Sequence, residues 1–151
     1  MEYTKRVIVP GDLDAVAALF TDTTTWSAWQ PTLQTVEVLE GTPPATGART
    51  RLTFRRGRRG TMVMTETVEL GDLPRRWRVV YEADGVRNVC DTRFEQGDAR
   101  TTLVEQRNEF GFSGIMRVVG ALFGSSFPKE TQRSLDAFRD FAARRTQAPP
   151  A

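Results

Sequence analysis

One acidic residue interrupts a row of apolar residues that recurs at the period of a β-strand. The acidic residue is Glu66, and its row also contains Met62, Met64, Val68 and Leu70. Alternate residues of a strand point to the same face of the sheet, so the pattern predicts that Glu66 is buried with its apolar neighbours. A carboxyl group that loses water in this way has a raised pKa and can serve as a general acid or base.

Polar side chains recur on the same predicted face of the three strands that follow. They are Tyr81, Asn88, Cys90, Gln106 and Asn108. A face that mixes large apolar side chains with a few convergent polar ones is typical of a ligand cavity rather than of a packed core. Tyr81 could donate a hydrogen bond to a substrate oxygen. The three amides need partners if they are buried, and water, each other or a ligand could supply them.

Several of these residues also have a purely structural interpretation. A β-bulge would turn Glu66 outward, and an arginine such as Arg56 could neutralise it as a structural pair. Cys90 is expected to fill space rather than act as a nucleophile, because nothing nearby in the sequence lowers its pKa. Trp26 and Trp29 would share one helical face, either as core residues or with at least one of them touching a ligand.

The residue types that several other chemistries require are missing. The sequence contains no histidine and one cysteine, which excludes a zinc site of the usual ligands, a Ser-His-Asp or Cys-His arrangement and a thiol pair. No phosphate-binding loop or dinucleotide fingerprint occurs either. We therefore expect neither a metal nor a cofactor.

Length and composition indicate one globular domain. The chain has 151 residues, of which 39% are hydrophobic, and no apolar run approaches the ~20 residues that span a bilayer. The first residues lack the apolar core of a signal peptide, so we expect a cytoplasmic protein. We place the domain at residues 1–146 and a disordered tail at residues 147–151. The sequence leaves a homodimer open.

Positive charge is concentrated locally. The formal net charge is +2, which implies no particular partner. Six arginines lie on one predicted hairpin, namely Arg49, Arg51, Arg55, Arg56, Arg58 and Arg59. A basic cluster can hold phosphates, but arginine is the usual cation throughout this chain, since Lys5 and Lys129 are the only lysines. We interpret the cluster as a solvated hairpin tip and expect no nucleic-acid partner.

Alternating apolar and polar residues predict seven strands. Their predicted ranges are 2–9, 33–40, 47–56, 61–70, 76–83, 86–96 and 100–110. Turns rich in Gly, Pro and Asp separate the last six strands, and such short connections favour one antiparallel meander. Two short helices are predicted between the first two strands. Asp12 caps the first helix, and Asp22 or Thr23 caps the second.

The apolar period changes to that of a helix near the C-terminus. A very apolar short helix is predicted from Ile115 to Phe123, and Pro128 suits the start of a second helix. We expect one long helix that is kinked or broken near residues 124–128.

Several local features mark the corners of a known architecture. An aspartate ends the first helix, a Trp-x-Pro corner leads into the second strand, and a glycine precedes the third. These features are Phe20-Thr-Asp22, Trp26, Trp29-Gln-Pro31, Val36 to Glu40 and Gly47. With the order of the predicted elements, they make the chain similar to the START-like superfamily, also called Bet v1-like, SRPBCC or polyketide cyclase/dehydrase and lipid-transport proteins.

This resemblance implies an α+β helix-grip fold. A curved, seven-stranded antiparallel sheet would surround a long C-terminal helix, with two short helices after the first strand and an elongated cavity between sheet and helix. Six residues are then expected to border that cavity, namely Trp29, Phe54, Met64, Tyr81, Met116 and Phe123.

The favoured hypothesis is binding or carriage of a small, mostly apolar or amphipathic molecule in this cavity. One alternative is a cofactor-independent cyclase or dehydratase. Glu66 would be its acid or base, and Tyr81 with Asn88, Gln106 or Asn108 would orient and polarise carbonyls. Another alternative is a protein-interaction module that uses the apolar helix from Ile115 to Phe123.

Overall fold

Seven strands form one antiparallel sheet in the computed structural model, which describes residues 1–147. The strands are β1 (Glu2–Pro10), β2 (Leu33–Glu40), β3 (Arg49–Arg56), β4 (Gly60–Asp72), β5 (Arg76–Ala83), β6 (Val86–Gln96) and β7 (Thr101–Phe112). Their order across the sheet is β1-β7-β6-β5-β4-β3-β2. The last six strands are therefore a meander of hairpins, and β1 extends it beside β7.

Four helices accompany the sheet within the described residues. They are α1 (Leu13–Phe20), α2 (Trp26–Trp29), α3 (Met116–Phe123) and α4 (Phe127–Gln147). A short 3-10 turn at Gly124–Ser126 separates α3 from α4, where the sequence predicts a break. The predicted α+β helix-grip architecture is confirmed, including the two short helices after the first strand. No helix among residues 1–147 is both long enough and apolar enough to cross a membrane.

The long helix α4 closes one face of the sheet, which we call the inner face. Leu135, Phe138 and Ala142 are its buried residues, and they belong to the same core cluster as Val79 of β5 and Val104 of β7. The opposite face of the sheet carries ion pairs and is largely exposed, although Val80, Val89 and Asp91 are buried on it. Because apolar and polar residues alternate along each strand, one face of the sheet can be buried while the other contacts water.

Phe20, at the end of α1, is the centre of an aromatic cluster. Its ring meets those of Trp77, Phe94 and Phe138 edge-on, with centroids 5.0 to 6.2 Å apart, and lies 5.5 Å from that of Trp29. Edge-to-face pairs are favoured because the positive ring edge faces the negative ring face. The cluster joins α1, α2 and α4 to the sheet at one end of the inner face.

Two glycines allow α3 to approach the sheet closely. A Cβ atom on Gly85, in the β5–β6 turn, would lie 2.7 Å from Cγ of Met116, and one on Gly120 would lie 2.7 Å from the Phe112 ring. Gly85 also has φ of +75°, which an L side chain disfavours. Any side chain at either position would therefore displace α3.

One detail of the predicted inner row is wrong. The pairing of β4 with β5 shifts between Val68 and Leu70, which places a bulge at Glu69. Val68 lies opposite the inner residue Val79, but Leu70 lies opposite Arg78 on the outer face. The bulge therefore turns Leu70 away from the row that contains Glu66, because an extra residue reverses the alternation beyond it.

The C-terminal helix extends to Gln147, the residue at which the sequence predicts that a disordered tail begins. Residues 148–151 lie outside the described residues, so for them the predicted tail stays a prediction.

Candidate functional site

Glu66 lies fully buried on the inner face. It is paired with Thr50 on β3 and with Tyr81 on β5, and its exposed fraction is 0%. The bulge in β4 comes three residues later, so it does not turn Glu66 outward. Arg56 lies at the exposed end of β3 opposite Gly60, too far along the strand to neutralise the carboxyl group.

Neither carboxyl oxygen of Glu66 has a hydrogen-bond partner among the described residues. Burial raises the pKa of Glu66 to about 7, while the facing Tyr81 hydroxyl lowers it by a smaller amount. The cause is desolvation, which disfavours the charged carboxylate. Both protonation states of Glu66 are therefore populated near neutral pH.

Tyr81 remains a neutral phenol at this position. Burial, followed by the negative charge of Glu66, raises the pKa of Tyr81 well above its usual value. A neutral tyrosine hydroxyl can both donate and accept a hydrogen bond. Glu66 and Tyr81 thus place an acid and a hydroxyl side by side.

The three predicted amides form a continuous chain of hydrogen bonds across β6 and β7. The Asn88 amide nitrogen donates to Oδ1 of Asn108 at 3.1 Å, and the Asn108 amide nitrogen donates to Oε1 of Gln106 at 3.2 Å. The Gln106 amide nitrogen then donates to the Thr92 hydroxyl at 3.3 Å. Each amide thus finds its partner within the chain, and Asn88, opposite Tyr81, is the member next to Glu66 and Tyr81.

Cys90 is buried among these polar groups. Its sulfur lies 3.9 Å from the Thr92 hydroxyl, and burial raises the pKa of Cys90 to about 12. At neutral pH the group is therefore a thiol, and a thiol is a poor nucleophile. This agrees with the expected role of Cys90 as a small space-filling residue.

The two tryptophans of α2 differ in how their indole nitrogens are used. Nε1 of Trp26 donates to the backbone oxygen of Phe20 at 2.9 Å, so Trp26 is a satisfied core residue. Trp29 is also buried and packs edge-on against Phe138 at 5.1 Å, but its Nε1 has no partner among the described residues. Of these two tryptophans, Trp29 is therefore the one with an indole donor available to a ligand.

The remaining predicted contacts divide into two groups. Phe54 and Met64 are half-buried and pack against the core cluster. Met116 and Phe123 lie on α3, where Met116 contacts the β5–β6 turn and Phe123 is 58% exposed. Met64 thus lies two residues from Glu66 in the same row of β4, whereas Phe54 lies opposite Met62, further along the strand, and Phe123 is exposed on α3.

The apolar side of α3 faces outward. Its exposed side chains include Ile115 at the cap, Val118, Leu122 and Phe123. Periodicity in the sequence predicts the helix correctly, but not which of its faces meets the sheet.

Sequence reasoning missed three buried inner-face residues. Thr50 lies opposite Glu66, Thr92 ends the amide chain, and Trp77 has an unpartnered indole nitrogen. Trp77 could have been found, because it is in the same alternating row as Tyr81. The threonines carry no such signal, since threonine is common on both faces of strands.

An open groove lies away from these residues. It has a volume of about 410 Å³ and is lined by the end of β1, by α1 and by α4, with Asp22 and Arg145 as its charged residues. None of the predicted site residues lines it. A ligand cavity between the inner face and α4 stays a prediction.

The sequence matches the family described as polyketide cyclase / dehydrase and lipid transport over residues 1–142. The chain belongs to this family. Its members include polyketide cyclases and proteins that bind apolar ligands, and the resemblance inferred from the corner residues is thereby confirmed. Comparison with curated proteins finds no match.

Solved structures share the fold at low sequence identity. An aromatase/cyclase from Streptomyces, Zhui, is 19% identical with a TM-score of 0.76, covering 98% of this chain and 96% of that one. Ara h 8.0201 is 11% identical with a TM-score of 0.74, covering 95% and 98%. A norcoclaurine synthase from Thalictrum is 12% identical with a TM-score of 0.72, covering 97% and 96%. These likenesses establish the Bet v1-like fold and no more.

Metal chemistry has no apparent site in the described part of the chain. Among residues 1–147, no group of three or more Cys, Asp or Glu side chains is arranged to hold a metal ion.

Proposed function

We propose that this protein binds or carries a small, mostly apolar molecule between the inner face of the sheet and α4. The observation that supports this most is Glu66, whose two carboxyl oxygens are buried without a partner in an otherwise apolar row. Leaving a buried polar group unsatisfied costs about 1–3 kcal/mol. A ligand that reaches Glu66 would recover part of that cost.

The surrounding residues suit an amphipathic ligand. Phe54 and Met64 offer apolar contact on β3 and β4, while Tyr81 and Asn88 offer polar contact on β5 and β6. Trp29 adds an indole donor from α2. Pockets with a mostly apolar lining and a few polar groups bind ligands through apolar burial and orient them through the polar groups.

A dye-displacement experiment tests this proposal. An apolar fluorescent dye should bind the wild-type protein at micromolar concentration, and Met64→Trp should weaken that binding at least about tenfold by filling the site. Val63→Trp is the matched control, because Val63 is the adjacent residue of β4 and lies 49% exposed on the outer face. Equal weakening by both variants, or by neither, would place the dye elsewhere.

A second candidate function is a cofactor-independent cyclase or dehydratase. It is favoured by the pKa of about 7 at Glu66, since an acid or base works best when its pKa is near the working pH. The Glu66 carboxylate would remove a proton from the carbon between two carbonyls, and Tyr81 would donate to the enolate oxygen. That carbon would attack a third carbonyl further along the chain, and protonated Glu66 would return the proton to the new alkoxide.

Glu66→Gln separates the two candidates. The amide is nearly isosteric but cannot take up the proton, so it should abolish turnover of a poly-β-ketone probe while leaving dye binding within about threefold. Glu82→Gln is the matched control, because Glu82 is the exposed residue next to Tyr81. Turnover that survives in Glu66→Gln would remove Glu66 from the chemistry, and absence of turnover in the wild type would favour the carrier.

A further inference from the structure

The helix α3 and its cap expose four large apolar side chains to solvent. They are Ile115, Val118, Leu122 and Phe123, whose exposed fractions lie between 58% and 81%. Within residues 110–129 the charged residues are Arg117 and Lys129, and no acidic residue occurs. A contiguous apolar patch of this kind marks a surface that meets an apolar partner.

The turn between β3 and β4 carries a cluster of unpaired arginines, which we call the arginine tip. Its members are Arg55, Arg56, Arg58 and Arg59, and all four are exposed. None of them forms an ion pair with another residue among 1–147. Arg49 and Arg51, further along β3, are instead paired with glutamates of β2. The charge of the tip is therefore not neutralised within the described structure, and it attracts anions.

The arginine tip and α3 lie at the same end of the sheet. In an antiparallel meander alternate turns lie at the same end, so the β3–β4 turn lies beside the β5–β6 turn. The two turns are two strand spacings apart, which is roughly 10 Å. Gly85 in the β5–β6 turn contacts α3, because its backbone oxygen accepts from the Ser113 amide at 2.9 Å and a Cβ there would meet Met116. Asp84 and Arg87 beside this turn offset each other in charge.

We propose that this end of the protein, formed by α3 and the arginine tip, docks on the surface of a membrane that contains anionic phospholipids. The apolar side chains of α3 enter the boundary between headgroups and acyl chains, and the arginines contact the phosphates. A second copy of the chain is a poorer partner, because it presents the same positive charge. The proposal does not depend on ligand binding at the inner face.

Vesicle flotation tests the proposal with two lipid compositions. One kind of vesicle consists of phosphatidylcholine alone, and the other of phosphatidylcholine and phosphatidylglycerol in equal parts. The wild type should bind the anionic vesicles at least about tenfold more tightly, because each arginine near an anionic surface contributes about fivefold to the binding constant. Added salt should reduce this preference by screening the charges.

The double variant Arg58→Gln with Arg59→Gln tests the arginine tip. It should weaken binding to the anionic vesicles about 25-fold and leave binding to phosphatidylcholine within about twofold. Arg75→Gln with Arg100→Gln is the matched control, because both arginines are exposed in turns at the opposite end of the sheet. Equal weakening by the two double variants would assign the effect to net charge and overturn docking through the tip.

The double variant Leu122→Gln with Phe123→Gln tests α3. It should weaken binding to both kinds of vesicle at least about tenfold, because two large apolar side chains no longer enter the lipid. Ile8→Gln with Val38→Gln is the matched control, since these residues are 62% and 48% exposed and lie on strands towards the opposite end of the sheet. Unchanged binding by the α3 variant, folded by circular dichroism, would mean adsorption by charge alone and would overturn the proposal.

Absence of wild-type binding to either kind of vesicle would also overturn membrane docking. Analytical ultracentrifugation without lipid then identifies the alternative occupant of α3. A wild-type dimer that becomes a monomer in the Leu122→Gln and Phe123→Gln variant would assign α3 to a second copy, and a monomeric wild type would leave an acidic protein as the partner. Dye binding at the inner face is measured separately, so none of these outcomes alters the proposed function.

Discussion

Glu66 and Tyr81 lie directly opposite each other on β4 and β5, on the inner face of the sheet. Burial raises the pKa of both groups; the charge of Glu66 raises the pKa of Tyr81 further, whereas the Tyr81 hydroxyl lowers the pKa of Glu66 by a smaller amount. Near neutral pH Tyr81 therefore keeps its proton, while Glu66 is present both with and without one.

The first prediction concerns the titration of Glu66. Carboxyl NMR should report a pKa of about 7, well above the ~4.3 of a free glutamate. An ordinary or lowered pKa would mean that water or a cation reaches the carboxyl group, which contradicts its position in this structure.

The second prediction is the effect of Glu66 on stability as pH changes. Because its pKa is raised in the folded state, the native protein holds this proton more tightly than the unfolded chain. Its stabilising contribution is complete below the unfolded pKa near ~4.3 and is lost as pH rises through about 7. Glu66→Gln should therefore raise the free energy of unfolding at pH 8 by about 1–3 kcal/mol and change it little at pH 4.

Urea denaturation at both pH values checks this difference. Glu82→Gln, on the exposed face of β5, should show the same small change at pH 4 and at pH 8. A gain from Glu66→Gln that is equal at both pH values would contradict the linkage to ionisation.

The third prediction concerns the amide chain. Asn108 is buried and bonded to both Asn88 and Gln106, so Asn108→Ala leaves two amides short of a partner. We expect a loss of about 1–3 kcal/mol in the free energy of unfolding. Glu109→Ala, the neighbouring exposed position, should cost less than about 0.5 kcal/mol, and equal effects of the two would argue that the amide bonds are not formed.

The fourth prediction compares one substitution at two phenylalanines. Phe20 is 4% exposed at the centre of the aromatic cluster, and Phe123 is 58% exposed on α3. Phe20→Ala should cost about 3–5 kcal/mol because it leaves a cavity, whereas Phe123→Ala should cost less than about 0.5 kcal/mol. Thermal denaturation of the two variants would contradict this packing if their losses were similar.

Much of the inner face could be predicted from the sequence because the side-chain period of a strand is two. That period alone places Glu66, Tyr81, Asn88 and Asn108 on one face of the sheet. The hydrogen bonds among the amides of Asn88, Asn108 and Gln106 depend in addition on which residues of neighbouring strands lie opposite each other. The lengths of the hairpin turns decide this, and periodicity does not contain that information.

Other features depend on contacts that are distant in the sequence. The bulge at Glu69 turns the Leu70 side chain to the outer face of the sheet. No residue type in that segment predicts the bulge. The sequence does not predict that the apolar side of α3 faces outward either. An amphipathic pattern predicts that a helix has two faces, but not which of them is covered. In this structure the face of α3 that meets the sheet is the one with Gly120, which lies close to the Phe112 ring.

Native mass spectrometry of the protein purified from its own organism tests the central claim most directly. We predict a population heavier than the bare chain by the mass of one small molecule, and we predict that Met64→Trp, expressed in the same cells, loses it. Bare protein alone in the wild type, or an adduct that Met64→Trp retains in full, would contradict binding on the inner face beside Glu66.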